Sequence, residues 1–326
     1  MIVKYGKWII VVVILVSFAM FLYNSDIQGI GVNLNQVGLN FFYLIFVTFL
    51  AQIFGTLSWK STLPQSLDIS FKDLFLIRYV GEHIGLINPA NFVGGDAFKA
   101  YQLEKRGIDY KVGISSLVVA RMVMIYIQVV VYLVAAFIYL FYCQNELSLL
   151  VKSMIIALSF IMVSALIVYA SNRFFQSKFF QKRGIGDRIQ EVRSTIRFYY
   201  KNQKERLSMS IFWAVINFLI GAIEIWLICY FIGAEVTYLE ALLIDQGSLF
   251  FKSFAAFIPG QLGVEEYTNK LMLTIVGISS LSVWISVSIL RRARQMFWLL
   301  LGVLTYYFFL SKDEQDLLAN EYTFRT

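Results

Sequence analysis

The sequence predicts an all-α polytopic membrane protein. We read about six full transmembrane helices plus two opposed re-entrant helical hairpins, arranged as an inverted repeat. Three observations lead there. The 326 residues are 59% hydrophobic and only 15% charged, a balance foreign to soluble globular chains. Apolar segments at 8–23, 37–59, 112–142, 147–170, 207–232 and 282–310 mostly reach the roughly 20 residues a bilayer crossing needs. Two further hydrophobic stretches are each interrupted, one by Asn88-Pro89-Ala90-Asn91-Phe92-Val93-Gly94-Gly95-Asp96 and the other by Ile258-Pro259-Gly260-Gln261-Leu262-Gly263-Val264-Glu265-Glu266. Proline removes a helical hydrogen bond and paired glycines favour turns, so both runs break a helix.

In chain order, the first segment follows Lys4 and Lys7, as a signal peptide would. No small-x-small cleavage pattern follows Tyr23 and five more spans come after it, so it reads as an uncleaved helix. The connection from Ser171 to Arg206 holds ten Lys and Arg against three acids, whereas 24–36, 143–146 and 233–237 hold no Lys or Arg. Basic connections stay cytoplasmic, which puts 171–206 and both termini on that side of a cell (inner) membrane. Within it, Ile185, Ile189, Val192, Ile196 and Tyr199 recur at helical spacing. That stripe fits either a helix lying on an anionic membrane surface or a short helix in a solvated linker. The end from Lys312 to Thr326 is short and polar, and a single membrane domain, 1–326, accounts for the chain.

The net charge of +7 is explained by orientation and anionic headgroups, and no nucleic-acid partner is expected. Cys143 and Cys229 lie far apart, and nothing local requires a disulfide. One histidine and two scattered cysteines give no zinc-ligand spacing, so neither metal nor cofactor is expected.

The chain repeats itself. Asp68–Phe75 matches Glu235–Leu242 class by class at an offset of 167, which Trp59 and Trp226 share. After three extra residues in the second copy the offset is 170. It then pairs Pro89 with Pro259, Asp96 with Glu266, Gly107 with Gly277 and Arg121 with Arg291. Repeat 1 covers about 37–142 and repeat 2 about 207–310. The spans that open them run in opposite directions, so the copies are inverted, as in many transporters. Segments 71–88 with 97–106, and 239–258 with 264–280, would be the arms of the two hairpins. Their non-helical tips, Pro89–Gly95 and Pro259–Gly263, must be buried in protein or line a wet cavity.

Charges inside these segments need partners. Arg121 and Arg291 each lie about nine residues into an apolar segment, on the order of half the hydrocarbon thickness. An unpaired charge there costs roughly 2.5–3.5 kcal/mol on the insertion scale. On one reading, Asp96 pairs with Arg121, and Glu265 or Glu266 with Arg291 or Arg294, only to hold the hairpins. On the other, some of these arginines face a cavity and bind an anion, because the planar guanidinium donates two hydrogen bonds to phosphate and stays charged. Lys99, one turn beyond Asp96, is either a headgroup contact or that aspartate's partner. Candidate substrate-binding residues are therefore Asp96, Lys99, Arg121, Glu265, Glu266, Arg291 and Arg294; candidate hairpin breakers are Pro89, Gly94, Gly95, Pro259, Gly260 and Gly263. His83 beside Glu82 reads as a satisfied interfacial histidine rather than a proton-coupling pair. Glu224 is an intramembrane acid suited to an arginine of the second cluster. Gly94-Gly95-Asp96 is no P-loop, because no Gly-Lys-Ser/Thr follows.

The run Pro89…Gly94-Gly95-Asp96…Lys99…Gly107…Arg121, with Pro259-Gly260…Gly263…Glu266…Gly302, resembles a flippase-like family that includes the membrane region of lysylphosphatidylglycerol synthase. The resemblance spans about residues 8–310. It departs at Lys99, where the family often has Arg, and at Ala120, where it often has Glu. The resemblance implies integral inner-membrane proteins that translocate lipids or help make and export lipid-linked glycans. Lysylphosphatidylglycerol synthase itself adds a soluble aminoacyl-transferase domain, for which 326 residues leave no room, so that activity is not expected of this chain alone. The expected function is flipping of an anionic phospholipid or polyprenyl-phosphate-linked lipid, with membrane lipids, by an anionic headgroup or a lipid-linked sugar, as partners. The rival is a membrane-embedded transferase or accessory subunit using Asp96 or Glu266 as base, and the sequence shows no Asp-x-Asp or nucleotide-sugar motif for it. A third expectation, an ion-coupled solute transporter, rests on the inverted repeat alone.

Overall fold

A computed structural model describes residues 27–64, 69–87, 92–142, 148–170, 203–254, 261 and 263–310. All regular structure among them is helical. The helices are α1 (Ile27–Val37), α2 (Phe41–Lys60), α3 (Phe71–Ile87), α4 (Phe92–Glu104), α5 (Tyr110–Tyr142), α6 (Leu149–Ala170), α7 (Lys204–Phe231), α8 (Tyr238–Phe254), α9 (Val264–Ile275) and α10 (Leu281–Thr305). Among the described residues, three helical runs are long and apolar enough to cross a membrane: Gln28–Lys60, Tyr110–Tyr142 and Lys204–Phe231. The expected first span at 8–23, Cys143, most of the 171–206 connection and the end beyond Leu310 lie outside the described residues.

Helix ends follow from side-chain chemistry. Ser70 and Asp73 cap α3, with Oγ donating to Oδ2 at 2.6 Å and accepting the Asp73 N–H at 3.1 Å. Thr237 and Glu240 do the same for α8, each of Thr237 N–H and Oγ1 donating to Oε2 at 2.8 Å. The second is a full capping box and the first shares its side-chain half, caps worth on the order of 1 kcal/mol each. Gly107 and Gly277 end α4 and α9 at φ of +80° and +91°, a conformation nearly closed to other residues. In both stops the next N–H reaches back five residues, from Ile108 to Leu103 and from Ile278 to Leu273.

Packing pairs the elements in a regular way. α3 lies on α4 and α4 on α5, while α8 lies on α9 and α9 on α10. α5 contacts α8, and α10 contacts α3. α2 and α7 cross in antiparallel sense: Tyr43 meets Phe231, Phe54 stacks on Trp213, and Ser58 Oγ donates to the Ser210 carbonyl at 2.9 Å. One apolar cluster is built chiefly from α5 and α7–α10, the other from α2–α4 with the start of α5 and Trp298.

The structure corrects two expectations. Residues 27–36, placed in a connection, belong to α1, with Ile30 and Val37 buried and Asn33 Nδ2 donating to Ser286 Oγ at 3.0 Å. Gly94 and Gly95, taken as breakers in a non-helical tip, are inside the first turns of α4. Gly95 serves close approach instead: a Cβ there would strike the Gly81 carbonyl oxygen of α3. Segment 282–310 is helical as expected, with Arg291, Arg292 and Arg294 in mid-helix. Pro89, Pro259 and Gly260 lie outside the described residues. Gly263 does break its hairpin, at φ +82°.

Candidate functional site

A cavity of about 480 Å³ opens among α2, α3, α4, α5, α7, α8 and α10. Its lining is unusual for a helical interior, with six cations (Arg78, Lys99, Arg121, Lys252, Arg291, Arg294) and four carboxylates (Glu82, Asp96, Glu224, Asp245). Buried charge persists only when paired and hydrogen-bonded, and the pairing is extensive.

The first wall belongs to α3, α4 and α5. Gly81 and Gly95 let α3 and α4 touch backbone to backbone, and the Lys99 stem lies over Gly81, where a Cβ would come within 2.6 Å of Cγ. The ammonium thereby reaches Asp96 Oδ1 at 3.3 Å, one turn back on the same helix. Arg121 of α5 meets Asp96 Oδ2 at 2.6 Å. Arg78 lies across Gly55 of α2, pairs with Glu82 at 2.8 Å and donates to Gln52 Oε1 at 2.8 Å. His83 does not join Glu82: its Nδ1–H donates to the Tyr79 carbonyl at 2.7 Å, and the ring packs on Tyr79 and Gly302. Tyr79 hydroxyl in turn donates to the Trp298 carbonyl, which ties α3 to α10.

The second wall belongs to α7, α8 and α10, backed by α9. Glu265, wholly buried, lies behind the cavity surface and is held by Lys252 at 3.0 Å, Arg292 at 3.4 Å and Arg291 at 3.5 Å; Gln295 Nε2 donates to it at 2.8 Å. Arg291 also donates to Asp245 Oδ1 at 3.0 Å and Asn269 Oδ1 at 3.1 Å. Arg294 Nε contacts Glu224 Oε1 at 2.6 Å. Glu266 is spent elsewhere: it accepts the Gly263 N–H at 2.8 Å to cap α9 and accepts Arg292 Nε at 2.8 Å. Gln261 adopts φ +52°, a strained setting for a non-glycine residue. It is pinned by its own Nε2 donating to the Lys252 carbonyl at 3.2 Å and by Arg292 donating to its carbonyl at 3.1 Å.

A model of the lysylphosphatidylglycerol synthase transmembrane region matches residues 8–303. The chain belongs to that family. It is also similar to a UPF0104 membrane protein of Pyrococcus horikoshii, 23% identical over 265 residues that cover 74% of this chain and 78% of that protein. No solved structure matches it. In this member of the lysylphosphatidylglycerol synthase transmembrane family, Asp96, Lys99, Arg121, Arg291 and Arg294 line one cavity. Glu265 backs it, and Glu266 is off it.

Sequence reasoning missed Arg78, Glu82, Asp245 and Lys252 as lining residues. The signal existed. Arg78 and Glu82 stand at i,i+4, and Asp245, Leu249 and Lys252 at i,i+4,i+7, each set on one face of a helix. Among the described residues, no three His, Cys, Asp or Glu side chains converge as a metal site.

Proposed function

We propose that this chain translocates an anionic phospholipid or a polyprenyl-phosphate-linked lipid, moving the headgroup through the cavity while the acyl chains stay in the bilayer. The observation that carries this is the cavity itself, lined by more cations than carboxylates within a membrane protein. A headgroup left in hydrocarbon would be very costly, and a protein-lined polar path is what a translocator supplies. A volume of about 480 Å³ lies within the roughly 300–1,000 Å³ typical of pockets for one small ligand.

On this reading α3–α4 and α8–α9 are re-entrant hairpins entering a cell (inner) membrane from opposite faces, six spans surround them, and both termini are cytoplasmic. Several observations support an inverted repeat. The antiparallel α2–α7 pair, the matched helix caps and the matched glycine stops fall on the offsets of the sequence repeat. The reciprocal contacts of α5 with α8 and α10 with α3 are what exchange of the two halves leaves unchanged. Of the two bases the transferase reading names, Glu266 is turned away from the cavity, and Asp96, which lines it, is held by Lys99 and Arg121.

The test is reconstitution into vesicles carrying a trace of headgroup-labelled phosphatidylglycerol, followed by a membrane-impermeant quencher. The reading expects the inner-leaflet label to become accessible in protein-bearing vesicles and to stay protected in empty ones. Equal protection in both would reject it.

A further inference from the structure

Arg291, Arg292 and Arg294 follow one another on α10 and are used differently. Arg291 gives Nη1 to Asn269 at 3.1 Å and Nη2 to Asp245 at 3.0 Å, with Nε 3.5 Å from Glu265. Arg292 gives Nε to Glu266 at 2.8 Å, Nη1 to Gln295 at 3.0 Å and Nη2 to the Gln261 carbonyl at 3.1 Å. Both guanidinium groups are filled by protein, and they anchor α10 on α8 and α9. Arg294, almost one turn beyond Arg291, turns to α7 instead. Its Nε is buried 2.6 Å from Glu224 Oε1. Among the described residues no acceptor takes a hydrogen bond from its Nη1 or Nη2, and both atoms keep accessible surface. The side chain lines the cavity and is 16% exposed, against 3% for Arg291.

A guanidinium carries five N–H donors in a fixed plane. With Nε against a carboxylate, the four N–H bonds of Nη1 and Nη2 form the outward end of the fork, and here that end faces the cavity. Donors left unanswered inside a protein are costly unless water or a ligand meets them. We infer that Arg294 is the phosphate-binding residue of the second wall, its Nη1 and Nη2 holding two oxygens of one phosphate group while Nε stays on Glu224. The inference rests on the lipid-translocation reading and names the group that grips the headgroup. Two parallel charge-assisted hydrogen bonds fix the phosphate in orientation as well as position, and a lysine ammonium cannot reproduce them. A phosphate at Arg291 would have to displace Asp245 and Asn269. At Arg294 it displaces no protein acceptor, so the site is pre-organised and little is lost on binding. The same phosphate chemistry is offered by a membrane lipid and by its soluble, chain-free headgroup.

The experiment uses the purified full chain in neutral detergent and has two arms. In the first, phenylglyoxal, which closes on the two Nη nitrogens of an accessible guanidinium, is added to the wild-type chain and its adducts are mapped by mass spectrometry. Arg294 is expected to react at least tenfold faster than Arg291, and phosphatidylglycerol is expected to slow that reaction at least threefold. In the second arm, equilibrium binding of phosphatidylglycerol is compared in wild type, Arg294→Lys and Arg292→Lys. R294K keeps the charge, loses the fork and should weaken binding about tenfold or more, the scale of one lost hydrogen bond to a charged group. R292K, at a position that does not line the cavity, should stay within threefold. If R294K does not fold, the labelling arm needs no substitution and carries the test. Protection of Arg294 by glycerophosphoglycerol would assign the site to the headgroup alone, and protection by phosphatidylglycerol only would assign it to the intact lipid; both sustain it. Arg294 reacting no faster than Arg291, labelling that neither ligand slows, or equal losses in R294K and R292K would overturn it. Lipid protection of Arg294 in a chain that does not translocate would instead reject transport and leave the site standing. Translocation that proceeds unchanged in R294K would leave transport standing and overturn the site.

Discussion

The two helical hairpins share a sequence pattern and use it differently. In α3–α4 the helices meet through glycine, and the acid Asp96 points into the cavity, partly exposed, between Lys99 and Arg121. In α8–α9 the corresponding acid Glu266 caps its own helix, and the preceding residue, Glu265, is buried at the centre of a four-partner network. The cause is helix phase. α4 begins at Phe92, four residues before Asp96, whereas α9 begins at Val264, two before Glu266. Glu266 is thus the third helical residue, where a carboxylate reaches back to the cap. The lesson is that a repeat conserving residue type at an offset need not conserve role, because where each helix starts decides which face the residue occupies.

That contrast can be broken by substitution, and the largest effect belongs to the buried network. Glu265→Gln removes the negative charge shared by Lys252, Arg291 and Arg292 and should destabilise the fold by about 3–5 kcal/mol, the scale of breaking a buried ion pair; SDS-titrated unfolding of the purified chain measures it. Next comes Gly95→Ala, whose Cβ meets the Gly81 carbonyl. Backbone has to move, and about 1–3 kcal/mol of destabilisation is expected in the same titration. Asp96→Asn should cost less than about 2 kcal/mol, because water reaches the partly exposed group and a neutral amide still hydrogen-bonds. The smallest effect is expected of Gly247→Ala. There the added Cβ meets only the sulfur end of Met272, which can swing aside, and under about 1 kcal/mol is expected. A Gly247→Ala cost equal to that of Gly95→Ala would remove the distinction between the hairpins.

Much of this was legible in the sequence, for identifiable reasons. Apolar length announced helices α2, α5 and α7, and the Asp96–Arg121 pair followed from the cost of an unpaired charge in an apolar segment. Glu224 was matched to the second arginine cluster and contacts Arg294. The boundaries of the first tip were not legible, since Gly94 and Gly95 look like breakers until the contact with Gly81 is known. Asp245 and Lys252 escaped notice because their partners, Arg291 and Glu265, come from α10 and α9, and no local spacing encodes that meeting. Arg78 escaped notice too, because the absence of a side chain at Gly55, on another helix, is what seats its guanidinium beside Gln52. Residues 27–36 of α1 were assigned to a connection, since Asn33 and Asn35 dilute their apolar signal, although Asn33 bonds Ser286 in the bundle.

The central claim is that the cavity carries the lipid headgroup, and transport rate tests it most directly. Vesicles with the wild-type chain or Arg121→Gln should be compared for labelled phosphatidylglycerol becoming accessible to an external quencher. The account predicts at least tenfold slower translocation for R121Q, whose side chain lines the cavity. Equal rates in the two would contradict it.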